Sequence, residues 1–287
     1  MKARSIAAAL VLSILAAACA NSSAAPGAGS TGGGLPAHSD QLVLRMDTSG
    51  GFVAPSFSQG QIPGFSLYAD GRVITLGAQI EIYPQPALPP VMVSRVDAAG
   101  VQAILQAALA AGLGTDADYV DLGSTMIADA PTTTFTLTAD GQTHVVRVYA
   151  LGELGSKPEQ MTQDEFDARI ALLDLSTKLG DLRTFVGADD VTDDGAYVTH
   201  EMRVWVDTYQ PDETLQEPGV AWPGSSPLAE FGSVSQTYGT RCGTVMGDEL
   251  SALLPLAEQA NQLTPWKSDG ERFGLVFRPL LPDESGC

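Results

Sequence analysis

Basic residues, histidine and cysteine are all scarce in this chain, and each shortage closes off a class of chemistry. Fifteen Lys and Arg face 34 Asp and Glu, for a net charge of −19. Such a surface repels phosphate backbones and anionic headgroups alike, which excludes nucleic acid as a partner. Only three histidines are present, at 38, 144 and 200, too few for a zinc-type ligand cluster. His144 stands beside Val145 in a strand pattern and His200 precedes Glu201, so both read as structural or surface residues. The three cysteines include no Cys-x-x-Cys pair, which removes a thioredoxin-like redox motif. No Gly-x-Ser-x-Gly elbow, Ser-x-x-Lys pair, Walker loop or dinucleotide glycine fingerprint occurs. Beyond residue 18 no apolar run is long enough to span a bilayer. Aromatics amount to 7%, so Trp205, Trp222 and Trp266 are needed for packing and read as core or lid residues, not as a glycan platform. Carboxylates are plentiful enough for a glycosidase-type pair, but nothing in the sequence singles one out.

What is present begins at the amino terminus. Lys2 and Arg4 precede the apolar run 6–15, and small residues Ala16-Ala17-Ala18 follow, the grammar of a secretory leader over 1–18. Leu15-Ala16-Ala17-Ala18-Cys19 resembles a bacterial lipobox, with alanine in place of leucine three residues before the cysteine. In that family the cysteine thiol carries a diacylglyceryl group. The resemblance therefore implies lipid attachment at Cys19 and a location on the outer face of the cell membrane. Each buried methylene contributes about 0.8 kcal/mol, so two or three acyl chains hold a protein almost permanently where one does not. With Cys19 lipidated, Cys242 and Cys287 remain, and two cysteines in an oxidising compartment pair. Their bridge would pin the end of the chain and contribute about 4 kcal/mol in the chain-entropy model.

Residues 19–40 form a Gly/Ser/Ala/Pro tether with no periodicity, which as a flexible coil spans roughly 25 Å. Ordered structure is expected from Gln41. Leu42, Leu44 and Met46 alternate as one face of a strand. Asp-Gly pairs at 70–71, 140–141 and 269–270 each separate apolar alternations, the strongest short-range hairpin signal. Asp97 caps a helix with Val96 and Val101 as its staple pair and Gly112 as its stop. Thr162 and Glu165 form a capping box for a second helix that reaches about Leu179. A third helical pattern covers 248–262, with Pro255 expected to kink or break it. The organisation expected is an α+β subregion over 41–155, a helical connector and acidic loop over 156–194, and a second α+β subregion over 195–287, closed by the disulfide. The two subregions are expected to share one sheet. Their similar order of strand, helix and Asp-Gly hairpin raises internal duplication.

Asp190, Thr192, Asp194 and Glu201, with Gly195, fall on the spacing of a calcium-binding EF-hand loop, which supplies oxygen ligands, a glycine turn and a terminal carboxylate. Thr192 departs from the pattern, and Glu201 opens a strand-like run where an exit helix belongs. No metal or other cofactor is assigned on this basis. The acidic run Asp116, Asp118 and Asp121 reads as a solvated loop.

The segments Phe65–Val73 (FSLYADGRV), Asp129–Thr138 (DAPTTTFTLT), Asn261–Gly270 (NQLTPWKSDG) and Phe277–Cys287 (FRPLLPDESGC) are similar to secreted lipoproteins of high-GC Gram-positive bacteria. That family carries no assigned activity, so the resemblance transfers no catalytic residue.

These readings converge on an α+β fold, a mainly antiparallel sheet of Asp-Gly hairpins with two or three helices packed on it. The function expected is a membrane-anchored, extracytoplasmic lipoprotein with a non-enzymatic binding or structural role toward an envelope protein or glycan. The alternative is an envelope hydrolase with an unrecognised carboxylate-based site.

Overall fold

Where alternating apolar runs meet an Asp-Gly pair, the chain reverses. Asp140 and Gly141 hold φ of 52° and 73°, and Asp269 and Gly270 hold 50° and 84°, the mirror-image turn whose twist matches paired strands. At Asp70-Gly71 only the glycine is positive, with φ 84°, and its N–H donates to the Tyr68 carbonyl at 3.0 Å. A Cβ on Gly71 would lie 2.3 Å from the Val96 carbonyl oxygen, so the residue is fixed by close approach as well as by backbone angle.

The computed structural model describes residues 39–123 and 127–287; Cys19, the expected leader and most of the expected tether lie outside them. The first half runs β1 (Leu42–Gly50), α1 (Pro55–Gly60), β2 (Phe65–Tyr68), β3 (Arg72–Leu76), β4 (Val91–Val96), α2 (Ala98–Ala110), β5 (Ala117–Tyr119), β6 (Pro131–Ala139) and β7 (Gln142–Tyr149). Then come α3 (Gln163–Gly180), α4 (Leu182–Val186), β8 (Val191–Ala196), β9 (Glu201–Thr208), β10 (Val220–Ala221), β11 (Ser233–Val234), β12 (Arg241–Met246), α5 (Gly247–Gln259), β13 (Trp266–Ser268) and β14 (Glu271–Pro279).

These strands make two sheets where a shared one was expected. The larger has eight strands in the order β5-β7-β6-β1-β2-β3-β4-β8, the smaller six in the order β10-β13-β14-β9-β12-β11. The fold is α+β and mostly antiparallel; only β5 with β7 and β10 with β13 run parallel. Asp-Gly turns join three of the ten antiparallel pairings, so most of the sheet is assembled by long-range pairing. The sheets are not topological copies. The first arm of one hairpin, β6, lies beside β1, whereas the second arm of the other, β14, lies beside β9.

Helix α2 follows its sequence signals closely. The Asp97 carboxylate accepts from the Gly100 N–H at 2.7 Å, and Val101, Ile104, Leu105 and Ala108 are buried. At its end Gly112 takes φ 95°, while the Leu113 N–H reaches the Ala108 carbonyl and the Gly112 N–H the Leu109 carbonyl. These two bonds make a Schellman cap. In α3 the Thr162 hydroxyl accepts from the Glu165 N–H at 3.1 Å, and Met161 and Phe166 share one apolar cluster. Helices α2 and α3 pack on the larger sheet against Leu44, Phe65, Phe135 and Leu137. Helix α5 packs on the smaller one, through Leu250, Leu253 and Ala257. The helices therefore serve two separate cores. Pro255 sits inside α5 without ending it. Its cost of about 3 kcal/mol is of the same size as burying two leucines, at roughly 1.5–3 kcal/mol each.

Strand β1 departs from simple alternation. A bulge between Leu42 and Leu44 turns Val43 to the same core as Leu44 and sends Leu42 to a separate cluster with Ile62, Tyr68 and Ile74. The extra residue in a bulged strand shifts side chains to the opposite face.

Residues 39–287 belong to one compact unit, and three segments tie the sheets together. Helix α1 lies on β14, with Gln59 Nε2 donating to Thr240 Oγ1 at 3.0 Å. The proline-rich connection from β3 to β4 docks below α5, where Ala87 N–H meets the Ala260 carbonyl and Gln262 N–H meets the Gln85 carbonyl. The segment after β14 returns to β1 and β2.

Candidate functional site: an uncharged groove beside an acidic clasp

The returning segment 280–287 is held by charge. Arg278 donates to both Glu284 carboxylate oxygens, at 2.7 and 2.8 Å, and through Nε to the Gln61 carbonyl at 2.7 Å. The Leu281 N–H adds a bond to Glu284 at 3.0 Å. Arg45 and the Tyr68 hydroxyl both donate to Asp283, at 2.8 and 2.6 Å. Arg278 is buried, with 7% of its surface exposed, so its guanidinium depends on this paired carboxylate. The arginines hold Glu284 below the usual carboxylate range, against the burial that alone would raise it. Asp47 shows the opposite balance: burial pushes it up, and Arg278 and Arg45 only partly offset this. Behind the clasp, Cys242 on β12 is bonded to Cys287, with Cα atoms 6.0 Å apart and a sequence separation of 45. That spacing suits a bridge without backbone movement.

Beside the clasp is a cleft of about 470 Å³ lined in part by Asp40, Asp194, Tyr197, His200, Glu201 and Glu284. Four carboxylates gather in this cleft, as a carboxylate-based site requires. Three of its four carboxylates are occupied: Asp40 by Arg72, Asp194 by Arg95 and Glu284 by Arg278. Burial pushes the Tyr197 phenol up to about 12, and its hydroxyl donates to the Leu280 carbonyl at 2.9 Å. The cleft is thus built of ion pairs and structural hydrogen bonds.

The calcium spacing is not realised as a loop. Asp190 ends a short 3-10 turn, Thr192 and Asp194 lie in β8, and β8 pairs with β4 on both sides of a bulge at Asp194. Glu201 opens β9 in the other sheet. Asp194 and Glu201 reach the same cleft, but Asp190 and Thr192 do not line it. An extended, paired strand cannot wrap its carboxylates round one ion. Among the described residues no group of three or more His, Cys, Asp or Glu side chains is placed to hold a metal. Asp116, Asp118 and Asp121 are exposed as expected, but Asp118 lies in the edge strand β5 and pairs with Arg147 at 2.9 Å, and Asp116 just before that strand accepts from the Val145 N–H at 2.8 Å.

The tryptophans are packing residues. Trp266 is buried and meets Phe277 at 5.3 Å and Trp222 at 6.3 Å between ring centroids. Trp205 projects from the other face of β9 and meets Tyr238 edge-on at 5.2 Å.

A second cavity, of about 720 Å³, has the opposite character. It lies between α1, the end of β3, the proline-rich connection and β14. Its walls are made by Phe57, Ile62, Leu76, Ile80, Leu88 and Val276, among others, and no described residue lining it carries a charge. Phe57 and Ile80 are 60% and 59% exposed. Phe52, Val53, Ile82 and Tyr83 extend the exposed apolar surface along the same segments. Apolar area of this kind, left open on a folded chain, marks a binding surface, and the volume falls within the range of ligand sites.

Compared with protein-family models, with curated proteins and with solved structures, the chain matches none. The groove is read from its geometry. Sequence patterns missed the groove because four separated segments build it. The available signal was the run of apolar residues Ile80, Ile82 and Tyr83 in a connection too rich in proline to be a strand. No helix among the described residues is long and apolar enough to cross a membrane.

Proposed function

We propose that this protein is an extracytoplasmic lipoprotein, held to the outer face of the cell membrane through Cys19, that binds a partner in the uncharged groove and performs no chemistry on it. One observation carries the reading. In a chain of net charge −19, the larger of the two clefts described here has no charged wall. Acid–base or nucleophilic catalysis needs titratable groups facing the bound molecule, and this groove offers none. The likeness to secreted lipoproteins and the lipobox-like run before Cys19 support the anchor. The Asp-Gly hairpins serve as rigid frame, since none of their turn residues lines the groove.

A photoreactive residue at Ile80 is expected to give a discrete adduct in intact cells, and one at Val120, exposed on another part of the molecule, is expected to give none. Equal labelling from both positions, or no adduct from Ile80, would count against the groove as the binding face.

A further inference from the structure

The walls of the groove also say what kind of molecule it holds, and this step rests on the groove being the binding face. A bound peptide or glycan brings many hydrogen-bonding groups, and each left unpaired on burial is unfavourable. Several of the groove's donors are used within the protein, which leaves the side chains of the exposed Ser56, Gln79 and Gln262 at its rim. Gln85 Nε2 donates to the carbonyls of Ile80 and Ile82, at 3.0 and 2.7 Å. Gln61 Nε2 donates to the Thr48 carbonyl. The backbone N–H groups of Ala87 and Gln262 are bonded to the carbonyls of Ala260 and Gln85. Pro86, Pro89 and Pro90, which also line the cavity, have no N–H to give. A charged headgroup would find no counter-charge in these walls, and the acidic surface outside would repel an anionic one.

We infer that the groove takes the hydrocarbon chain of an uncharged lipid, supplied by a separate molecule and not by the protein's own anchor. Such a chain needs no hydrogen-bond partner, and its affinity rises about fourfold for each methylene removed from water. The exposed Phe57 and Ile80 at the mouth give the chain an apolar entry.

The test uses the full chain purified as Cys19→Ser, so that no acyl group of its own can occupy the site. The fluorescent probe phenylnaphthylamine, uncharged and bright only in apolar surroundings, is bound first and then displaced. Monopalmitoylglycerol is expected to displace it, and monodecanoylglycerol to do so at least about tenfold less well, as the methylene count requires. Ile80→Asp places a carboxylate at the mouth on an exposed position and is expected to weaken displacement about tenfold or more, while Val120→Asp leaves it unchanged. Displacement independent of chain length, an unchanged Ile80→Asp variant, or equal displacement by a capped pentapeptide of leucine and valine would overturn the inference. A groove that crosslinks specifically in cells yet fails this test keeps its binding role and loses the lipid.

Discussion

Replacing Glu284 by Ala is expected to destabilise the fold by about 3–5 kcal/mol, the cost of leaving a buried charge without its partner. The partner is Arg278, buried and bonded to Glu284 through both terminal guanidinium nitrogens. For a fold of this size each kcal/mol lowers Tm by roughly 2–4 °C, so thermal unfolding reads the effect directly. The double variant Arg278→Met with Glu284→Leu is expected to recover most of the loss, because well-packed apolar residues replace a buried pair at little cost. The same pair sets a pH dependence. Glu284 is held below its unfolded value of about 4.3, so its contribution is fully present above that pH and is lost as the pH falls through the folded pKa. Below that range the gap between wild type and Glu284→Ala should narrow. A gap that stays constant on acidification would show that the clasp is not electrostatic.

The second large effect is expected at the disulfide. Cys287→Ser should lose about 4 kcal/mol, the chain-entropy value for closing a loop of 45 residues. Cys242 is buried between Trp205 on β9 and Ser233 on β11, and the bridge holds residue 287 there while the clasp holds 280–284. The two effects should not add, since both restrain one short segment. A loss well below their sum in Cys287→Ser combined with Glu284→Ala is the expected outcome of a denaturant titration. Free-thiol labelling of both cysteines in exported, non-reduced protein would show that the bridge does not form.

The elements that could be read from sequence are those whose signals are local. Asp97, Gly112, Thr162 and the Asp-Gly turns act within a few residues of themselves, and the structure places caps and reversals there. Pairing between distant strands has no such local signal. Nothing near β8 announces that it pairs with β4 and not with β9, and the separation into two sheets follows from that choice. The calcium spacing has the same limit: an EF-hand pattern specifies ligand types, whereas long-range pairing with Arg95 and Ser94 decides that Thr192 and Asp193 are extended. The clasp left no local mark. Arg45 and Arg278 alternate with the apolar positions Leu44 and Met46 in β1 and Leu275 and Phe277 in β14, so the pattern predicts exposure where Arg278 is in fact buried. Their carboxylate partners, 238 and 6 residues away, could not be chosen from spacing. The disulfide was legible because elimination left two cysteines.

The reading as a whole depends on where the protein is held, and one measurement decides that most directly: the mass of the amino-terminal peptide of the protein recovered from the membranes of its own cells. The account predicts a peptide that begins at Cys19 and carries the added mass of a diacylglyceryl group, with Cys19→Ser lost from the membrane fraction. A peptide that retains Met1, or one that contains Cys19 as a free thiol, would contradict it.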